Sequence, residues 1–193
     1  MRHLSLFLFF LTLQLQVLLG QDTQFSQYYG NPMFLNPGLV GINQQGSVGL
    51  NYRNQWPSIN ANFETYSFYT SYHFTDVSSS LGLIVNSDRE GYAGLNSRSA
   101  ALQYAYQVRL NDNWTFRPGI EGGYVWRDLN YDRLTFGDQF DDTGLISPQT
   151  AEQFNTGLSV EFFDMALGGV IFNEQAWLGA SFHHVMEPNQ SIS

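Results

Sequence analysis

The feature that most constrains this chain is a two-residue alternation over Ser99–Leu110, where the sequence reads SAALQYAYQVRL. The even positions are apolar or aromatic, and the odd positions are small, polar or charged. Because successive side chains of a β-strand point to opposite faces, this segment would have one face suited to lipid and one suited to a polar interior. Its twelve residues also suffice to cross a bilayer, since a tilted transmembrane strand needs roughly 9–11 residues.

The same alternation recurs along most of the chain and predicts an antiparallel sheet of seven or eight strands. The predicted strands are Ser47–Asn54, Thr65–His73, Leu81–Asn86, Ser99–Leu110, Trp114–Trp126, Gly157–Phe163, Met165–Phe172 and Ala176–His184. Short polar turns are expected at Asn111–Asn113 and Asn173–Gln175, and long loops at Asn86–Ser97 and Arg127–Gln153. Short turns at one end of a sheet and long loops at the other are typical of outer-membrane barrels.

The composition favours a membrane barrel over a soluble β-protein. Charged residues make up 13% of the chain, about half of the ~25% that is usual in globular domains, whereas aromatic residues reach 16%. A soluble β-sandwich is the alternative, but its outward face should carry more Lys and Glu, and this chain has no Lys. The formal net charge of −9 argues against a nucleic-acid partner. The expected fold class is therefore all-β, an antiparallel outer-membrane β-barrel.

The N-terminus has the pattern of an export signal. Arg2 precedes the apolar run Leu4–Leu13, and Gly20 supplies a small residue at the expected cleavage point. Gln14 and Gln16 interrupt the apolar stretch, which favours a cleaved signal over a membrane anchor. We therefore predict a signal peptide at 1–20, an aromatic, Asn-Pro-containing segment on the periplasmic side at 21–45, and barrel strands over 46–193.

Charged residues on the polar faces of the predicted strands are candidates for the barrel interior. Arg53, Arg109, Arg117 and Glu121 are predicted to face the lumen, because charges inside a membrane protein avoid lipid and need partners. Two interpretations stay open. The charges could select or gate what passes, or they could form ion pairs that brace the barrel interior.

The sequence predicts no catalytic residue, no cofactor-binding residue and no metal ligand. The adjacent His183 and His184 would point to opposite faces of a strand, so they could not share one metal ion from there. The acidic stretch Gly137–Asp142 lacks the ligand spacing of a calcium loop. The chain also contains neither a nucleophile elbow nor a phosphate-binding glycine loop.

Several blocks of the chain carry a family resemblance. QFSQYYGNPMFLNPGLVG (Gln24–Gly41) followed by LNYRNQWPS (Leu50–Ser58) closely resembles the PorP/SprF family of type IX secretion membrane proteins. Further blocks that agree with the family are Asn86–Gly94, Leu134–Asp141 and Trp177–Ser191. The blocks are spread over nearly the whole predicted mature chain.

The resemblance implies an outer-membrane β-barrel of the Bacteroidota without enzymatic activity. The partners that it implies are outer-membrane lipid, other type IX secretion components, and secreted proteins with a C-terminal sorting domain, such as gliding adhesins. One departure is Gly38, where the family usually has Ala after the second Asn-Pro pair. Another is size, since family members have about fourteen strands, so we expect this chain to be an N-terminal fragment of a larger barrel.

The aromatic Asn-Pro segment is expected to close part of the barrel. Each Pro drives the preceding Asn toward extended backbone and interrupts regular strand pairing. We predict that Phe25, Tyr28, Tyr29 and Phe34 anchor this segment against or inside the barrel mouth, where it would narrow the lumen.

Two functions compete with the secretion role. A general diffusion porin would share the alternation but would form a stable open conductance. A barrel enzyme such as a lipid hydrolase would need a Ser and a His facing each other on the barrel wall. The fold alone does not choose among these functions.

Overall fold

The computed structural model describes residues 30–59, 61–92, 94–130, 134–141, 144–147, 150–151 and 159–188. The strands are β1 (Ser47–Gln55), β2 (Phe63–Phe74), β3 (Ser79–Glu90), β4 (Leu95–Tyr106), β5 (Val108–Arg109), β6 (Thr115–Asp128), β7 (Phe140–Asp141), β8 (Gly144–Leu145), β9 (Ser159–Phe172) and β10 (Trp177–Phe182). The helices are α1 (Pro32–Leu35) and 3₁₀ turns at Pro37–Leu39, Thr75–Val77 and Gly137–Gln139. Among the described residues, no helix has the length and apolar character that a membrane span requires.

The strands form one curved antiparallel sheet, which confirms the predicted all-β fold. The strand order is β1-β2-β3-β4-β6-β9-β10, and β5 pairs with the start of β6. Strands β7 and β8 form a separate small hairpin. The sheet is a half-barrel, with one concave and one convex face.

The convex face carries an apolar belt. Leu50 is 80% exposed and Leu102 is 66% exposed, although both lie in the middle of long strands. The pairing register places apolar and aromatic residues side by side across six strands. One such row contains Leu50, Phe68, Val85, Ala100, Tyr124 and Phe163. A belt of this kind on a polar-lined sheet is suited to face hydrocarbon.

Two sequence-based predictions of strand limits are wrong. The expected loop Asn86–Ser97 is mostly strand, with the chain turning only at 91–94, where Gly91 and Gly94 have positive φ. The polar run at the end of β3 had indicated a loop, but Asp88 points inward and accepts a hydrogen bond from Thr65. A polar interior gives such residues partners within a strand, so polarity does not end the strand here.

The second wrong prediction divided one strand into two. Gly157–Phe163 and Met165–Phe172 were expected as separate strands, whereas β9 continues through Asp164 without a break. Asp164 faces the concave side, where its carboxylate meets His184 at 2.5 Å. Its charge therefore marks the inner face and not a turn.

Placing a charge in the apolar belt tests which solvent the convex face meets. We expect Leu102→Arg to destabilise the folded protein in membranes by about 2–4 kcal/mol, because a guanidinium at mid-bilayer depth is costly. Val77→Arg is the matched control, since Val77 is exposed in a turn outside the strands. The measurement is urea unfolding in liposomes. Equal stabilities of the two variants would show that the belt does not face lipid.

Candidate functional site

The concave face is covered by a segment that precedes the first strand. We call residues 30–42 the inner segment. It begins beside β2, where the Tyr69 hydroxyl donates to the Gly30 carbonyl at 3.1 Å. It reaches β10, where the Ser181 hydroxyl donates to the Leu35 carbonyl at 2.8 Å, and then turns back towards β3. The inner segment thus spans most of the width of the sheet.

The second Asn-Pro pair forms a clamp within this segment. Asn36 has extended backbone, with φ −161° and ψ 122°, and Pro37 starts the following 3₁₀ turn. The side-chain oxygen of Asn36 accepts a hydrogen bond from the backbone N–H of Gly38 at 2.8 Å. Its amide nitrogen donates to the carbonyls of Gly169 at 3.2 Å and Ala180 at 2.9 Å. One side chain therefore fixes the local turn and joins it to β9 and β10.

Arg117 of β6 holds the far end of the inner segment and is 0% exposed. Its guanidinium donates to the carbonyls of Val40 and Gly41, the latter at 3.4 Å. It also donates to the Ser80 hydroxyl at 2.8 Å and to Gln107 at 3.3 Å. A buried cation is costly unless it is hydrogen-bonded, and here two backbone carbonyls and two side chains accept from it. The partners of Arg117 in the described part of the chain are neutral oxygens, so the ion-pair interpretation does not describe this residue there.

Gln103 holds the middle of the inner segment and is 1% exposed. Its side-chain amide donates to the Met33 carbonyl at 2.8 Å and also to the Glu121 carboxylate. Glu121 therefore bonds to Gln103 and not to Arg117. Met33 itself is buried on the sheet.

Glycines in the sheet make room for this contact. A Cβ added at Gly119 would overlap the backbone of Pro37 and Gly38, and one at Gly168 would overlap the Asn36 side chain. A Cβ at Gly82 would collide with the side chains of the buried Met33 and Val40. The inner segment approaches the strands more closely than any other residue type at these positions would allow.

The remaining predicted lumen-facing residues and segment anchors lie in different environments. Arg53 lies on the half-buried side of β1 and donates to Gln55. Arg109 is exposed beside the turn that follows β5. Phe34 belongs to the inner segment and lines the cleft described next. The other predicted anchors, Phe25, Tyr28 and Tyr29, lie outside the described residues.

Sequence reasoning missed the residues that carry the contact. Met33 and Val40 are its buried apolar residues, whereas the aromatic residues had been singled out. Asn36 and Gln103 had no role in the predicted anchoring. The signal available in the sequence was a set of inward-facing glycines on different strands, at positions 82, 119 and 168. Without side chains at these positions, the sheet has a groove that can hold the inner segment.

A cleft of about 410 Å³ lies on the concave face beside the inner segment. Its lining includes the carboxylates of Asp88, Glu90, Glu121 and Asp164. Both His183 and His184 also line it, because β10 ends at Phe182 and His184 adopts a left-handed conformation with φ 56°. The prediction that a continuing strand would direct the two rings to opposite faces is therefore wrong. The described residues contain no set of three or more side chains arranged to hold a metal ion.

The connection between β6 and β9 uses one of its acids internally. The Asp138 carboxylate accepts from the backbone N–H of Ala151 at 2.6 Å and from the Thr150 hydroxyl at 2.8 Å. These hydrogen bonds hold the pKa of Asp138 below its ordinary range, and the bond from Ala151 has the largest effect. Asp138 therefore closes a loop within the chain.

Removing the guanidinium of Arg117 should release the inner segment. Arg117→Met leaves the Val40 and Gly41 carbonyls without their donor, at a cost of about 1–3 kcal/mol. We expect proteolysis within residues 30–42 to become about 5- to 150-fold faster, provided that the segment opens and closes faster than the protease cuts. The cleavage rate then follows the equilibrium population of the open form. Arg109→Met is the control, because Arg109 is exposed. Equal cleavage rates in all three proteins would contradict this role of Arg117.

Filling the groove should have a similar effect through overpacking. Gly119→Ala places a methyl group against the backbone of Pro37 and Gly38. We expect this overpacking to lower the free energy of unfolding by about 1–3 kcal/mol. Gly122→Ala is the matched control on the same strand, since its methyl would meet only the Phe163 ring, at 3.3 Å. The thermal midpoint of the folded form in detergent measures both. A larger drop for Gly122→Ala would refute the close approach.

Comparisons with known proteins give one match. A family model described as type IX secretion system membrane protein PorP/SprF matches residues 17–193. No curated protein and no solved structure matches the chain. Because the family model covers most of the sequence, the chain belongs to the PorP/SprF family of type IX secretion system membrane proteins.

Proposed function

We propose that this protein is a non-catalytic component of the outer membrane that assists secretion and surface attachment of proteins with C-terminal sorting domains, including gliding adhesins. Membership of the family makes it a type IX secretion membrane protein. The observation that carries the further step is the inner segment, which occupies much of the concave face. A wall whose polar interior is occupied by its own chain is suited to binding other proteins rather than to passing solutes.

The convex face supports a location in the outer membrane. Its apolar belt is bounded by tryptophans near strand ends. Trp56 follows β1 and Trp126 lies near the end of β6, while Trp114 precedes β6 and Trp177 starts β10. Aromatic residues of this kind prefer the two membrane–water interfaces. Export through a signal peptide and strands as spanning elements are both properties of outer-membrane proteins.

The inner segment argues against the general diffusion porin. Three polar groups that could line a water-filled channel are engaged by it, namely Arg117, Gln103 and Ser181. A porin needs such groups to face water. The acidic cleft beside the inner segment keeps other polar groups of the concave face, such as Asp88 and Glu90, outside this contact.

A hydrogen-bonded Ser and His pair exists but is placed unfavourably for catalysis. The His73 ring meets the Ser80 hydroxyl at 2.8 Å, and both side chains are buried. Ser80 also accepts a hydrogen bond from Arg117, and Gly41 packs directly against it. A nucleophile must be open to its substrate, so we assign this pair to the support of Arg117 and not to hydrolysis.

The end of the sheet with the longer connections is the proposed cargo side. Residues 56–59 follow β1 and residues 129–130 follow β6 at this end, and the cleft lining includes Asp88, Glu90 and Arg127 near the same strand ends. The stretch Asn86–Ser97, the other loop predicted for cargo contact, is mostly strand, so it contributes sheet residues such as Asp88 and Glu90. Loops on a rigid wall commonly carry binding function.

A complementation experiment tests the secretion role. The gene is deleted and replaced by wild type, Arg117→Met or Gly122→Ala, and surface proteins are quantified by mass spectrometry. We expect deletion to shift proteins with C-terminal sorting domains from the surface to the periplasm. Wild type and Gly122→Ala should restore them, and Arg117→Met should restore them only in part. Normal surface amounts in the deletion strain would refute the proposal.

Conductance separates the adaptor from the porin. The purified protein in planar bilayers should show no stable open conductance, because the inner segment occupies the concave face. Arg117→Met should show more frequent openings than wild type. Large, stable steps from the wild-type protein would favour the porin instead.

A further inference from the structure

The convex face has two guanidinium groups at the boundary of the apolar belt. In the register of β3 and β4, Arg89 pairs with Asn96, and Arg98 pairs with Ser87. Both arginines therefore lie on the same face, on adjacent strands and one row apart. Cβ atoms in such diagonal positions are about 7–8 Å apart, which is within the combined reach of two arginine side chains.

The depth of these arginines matches a lipid headgroup. The row that contains Arg98 also contains aromatic residues, with Tyr66 across from Ser87 and Trp126 across from Arg98. The next row towards the middle of the belt contains Val85 and Ala100. Arg98 is thus at the level where interfacial aromatic side chains lie, and Arg89 is one row farther out.

The nearby carboxylates already have neutral donors. The Glu64 carboxylate accepts from Asn62 at 3.0 Å, and Asp128 accepts from Asn96 at 2.8 Å. Glu161 accepts from the Tyr124 hydroxyl at 3.0 Å. No ion pair joins Arg89 or Arg98 to any acid in the described part of the chain. Two cations at a membrane boundary are therefore left to meet an anion from outside.

A small cavity lies beside Arg89. Its volume is about 220 Å³, and Arg89, Gly94, Asn96 and Asn130 line it. The Nε atom of Arg89 is buried and has no hydrogen-bond partner among the described residues. A buried guanidinium N–H without an acceptor is costly, and a phosphate oxygen would satisfy it.

We propose that Arg89 and Arg98 form a binding site for the phosphate groups of a membrane lipid headgroup, in the leaflet at the long-connection end of the sheet. The two guanidinium groups would hold phosphate oxygens by charge-assisted hydrogen bonds, while the acyl chains lie along the apolar belt. This inference rests on the proposed membrane location but not on the secretion role. It gives the protein a fixed lipid contact below its cargo side.

Lipid titration by native mass spectrometry tests the site. The full-length protein, delipidated in detergent, is titrated with diphosphoryl lipid A, with phosphatidylethanolamine as the zwitterionic comparison. We expect at least a tenfold weaker apparent Kd for lipid A in Arg89→Gln/Arg98→Gln, and an unchanged Kd in Arg109→Gln. Arg98→Gln alone should weaken lipid A binding at least threefold. Because Arg98 is exposed, this substitution should leave the protein folded, so that unfolding would not account for the weaker binding.

Three results would overturn the proposal. These are equal affinities in wild type and double variant, equal binding of phosphatidylethanolamine, and displacement of lipid A by millimolar inorganic phosphate, which would indicate a site for free phosphate. The surface-protein measurement keeps the two proposals apart. A wild-type protein that does not prefer lipid A over phosphatidylethanolamine but still supports normal secretion would refute only this site. Impaired surface attachment has no bearing on the lipid titration.

Discussion

The structure depends on how a buried cation is compensated. Arg117 lies on the polar face of a strand that is expected to cross a membrane, and it is completely covered. Neither lipid nor bulk water can solvate it there, so the protein must provide acceptors. The inner segment provides them as the carbonyls of Val40 and Gly41. The same contact that satisfies Arg117 therefore keeps the segment folded on the sheet.

The two faces of the sheet solve different solvation problems with one alternating pattern. The convex face removes polar groups almost entirely from its middle rows, whereas the concave face collects them and pairs them with the inner segment. Glycines at 82, 119 and 168 let backbone meet backbone, so carbonyls and amides serve as partners in place of long side chains. The result is a sheet whose concave face holds the inner segment and, beside it, the acidic cleft. This arrangement suits a scaffold for protein contacts.

The sequence predicted the wall better than the site. Period-two patterning predicts strands well because the long strands here separate an apolar convex face from a polar concave face. The part of Ser99–Leu110 that lies in β4 shows the predicted faces, but β4 ends at Tyr106 and Val108–Arg109 form the separate strand β5. The same logic failed at Asn86–Ser97 and at Asp164, where inward polar residues look like loop residues. The inner segment was expected to dock through aromatic rings. Its observed anchors are Asn36, Met33 and Val40, which depend on three-dimensional partners from β4, β6 and β9 that no local pattern reveals.

The most direct test of this account is hydrogen exchange of the native protein in lipid nanodiscs, read at residues 36–42. The backbone N–H groups of Gly38, Leu39 and Ile42 are all hydrogen-bonded within the inner segment, the first to the Asn36 side chain. If Arg117 and Asn36 hold this segment on the sheet, these amides should exchange as slowly as those of β6. Exchange at the rate of an unstructured peptide, while β6 stays protected, would contradict the account.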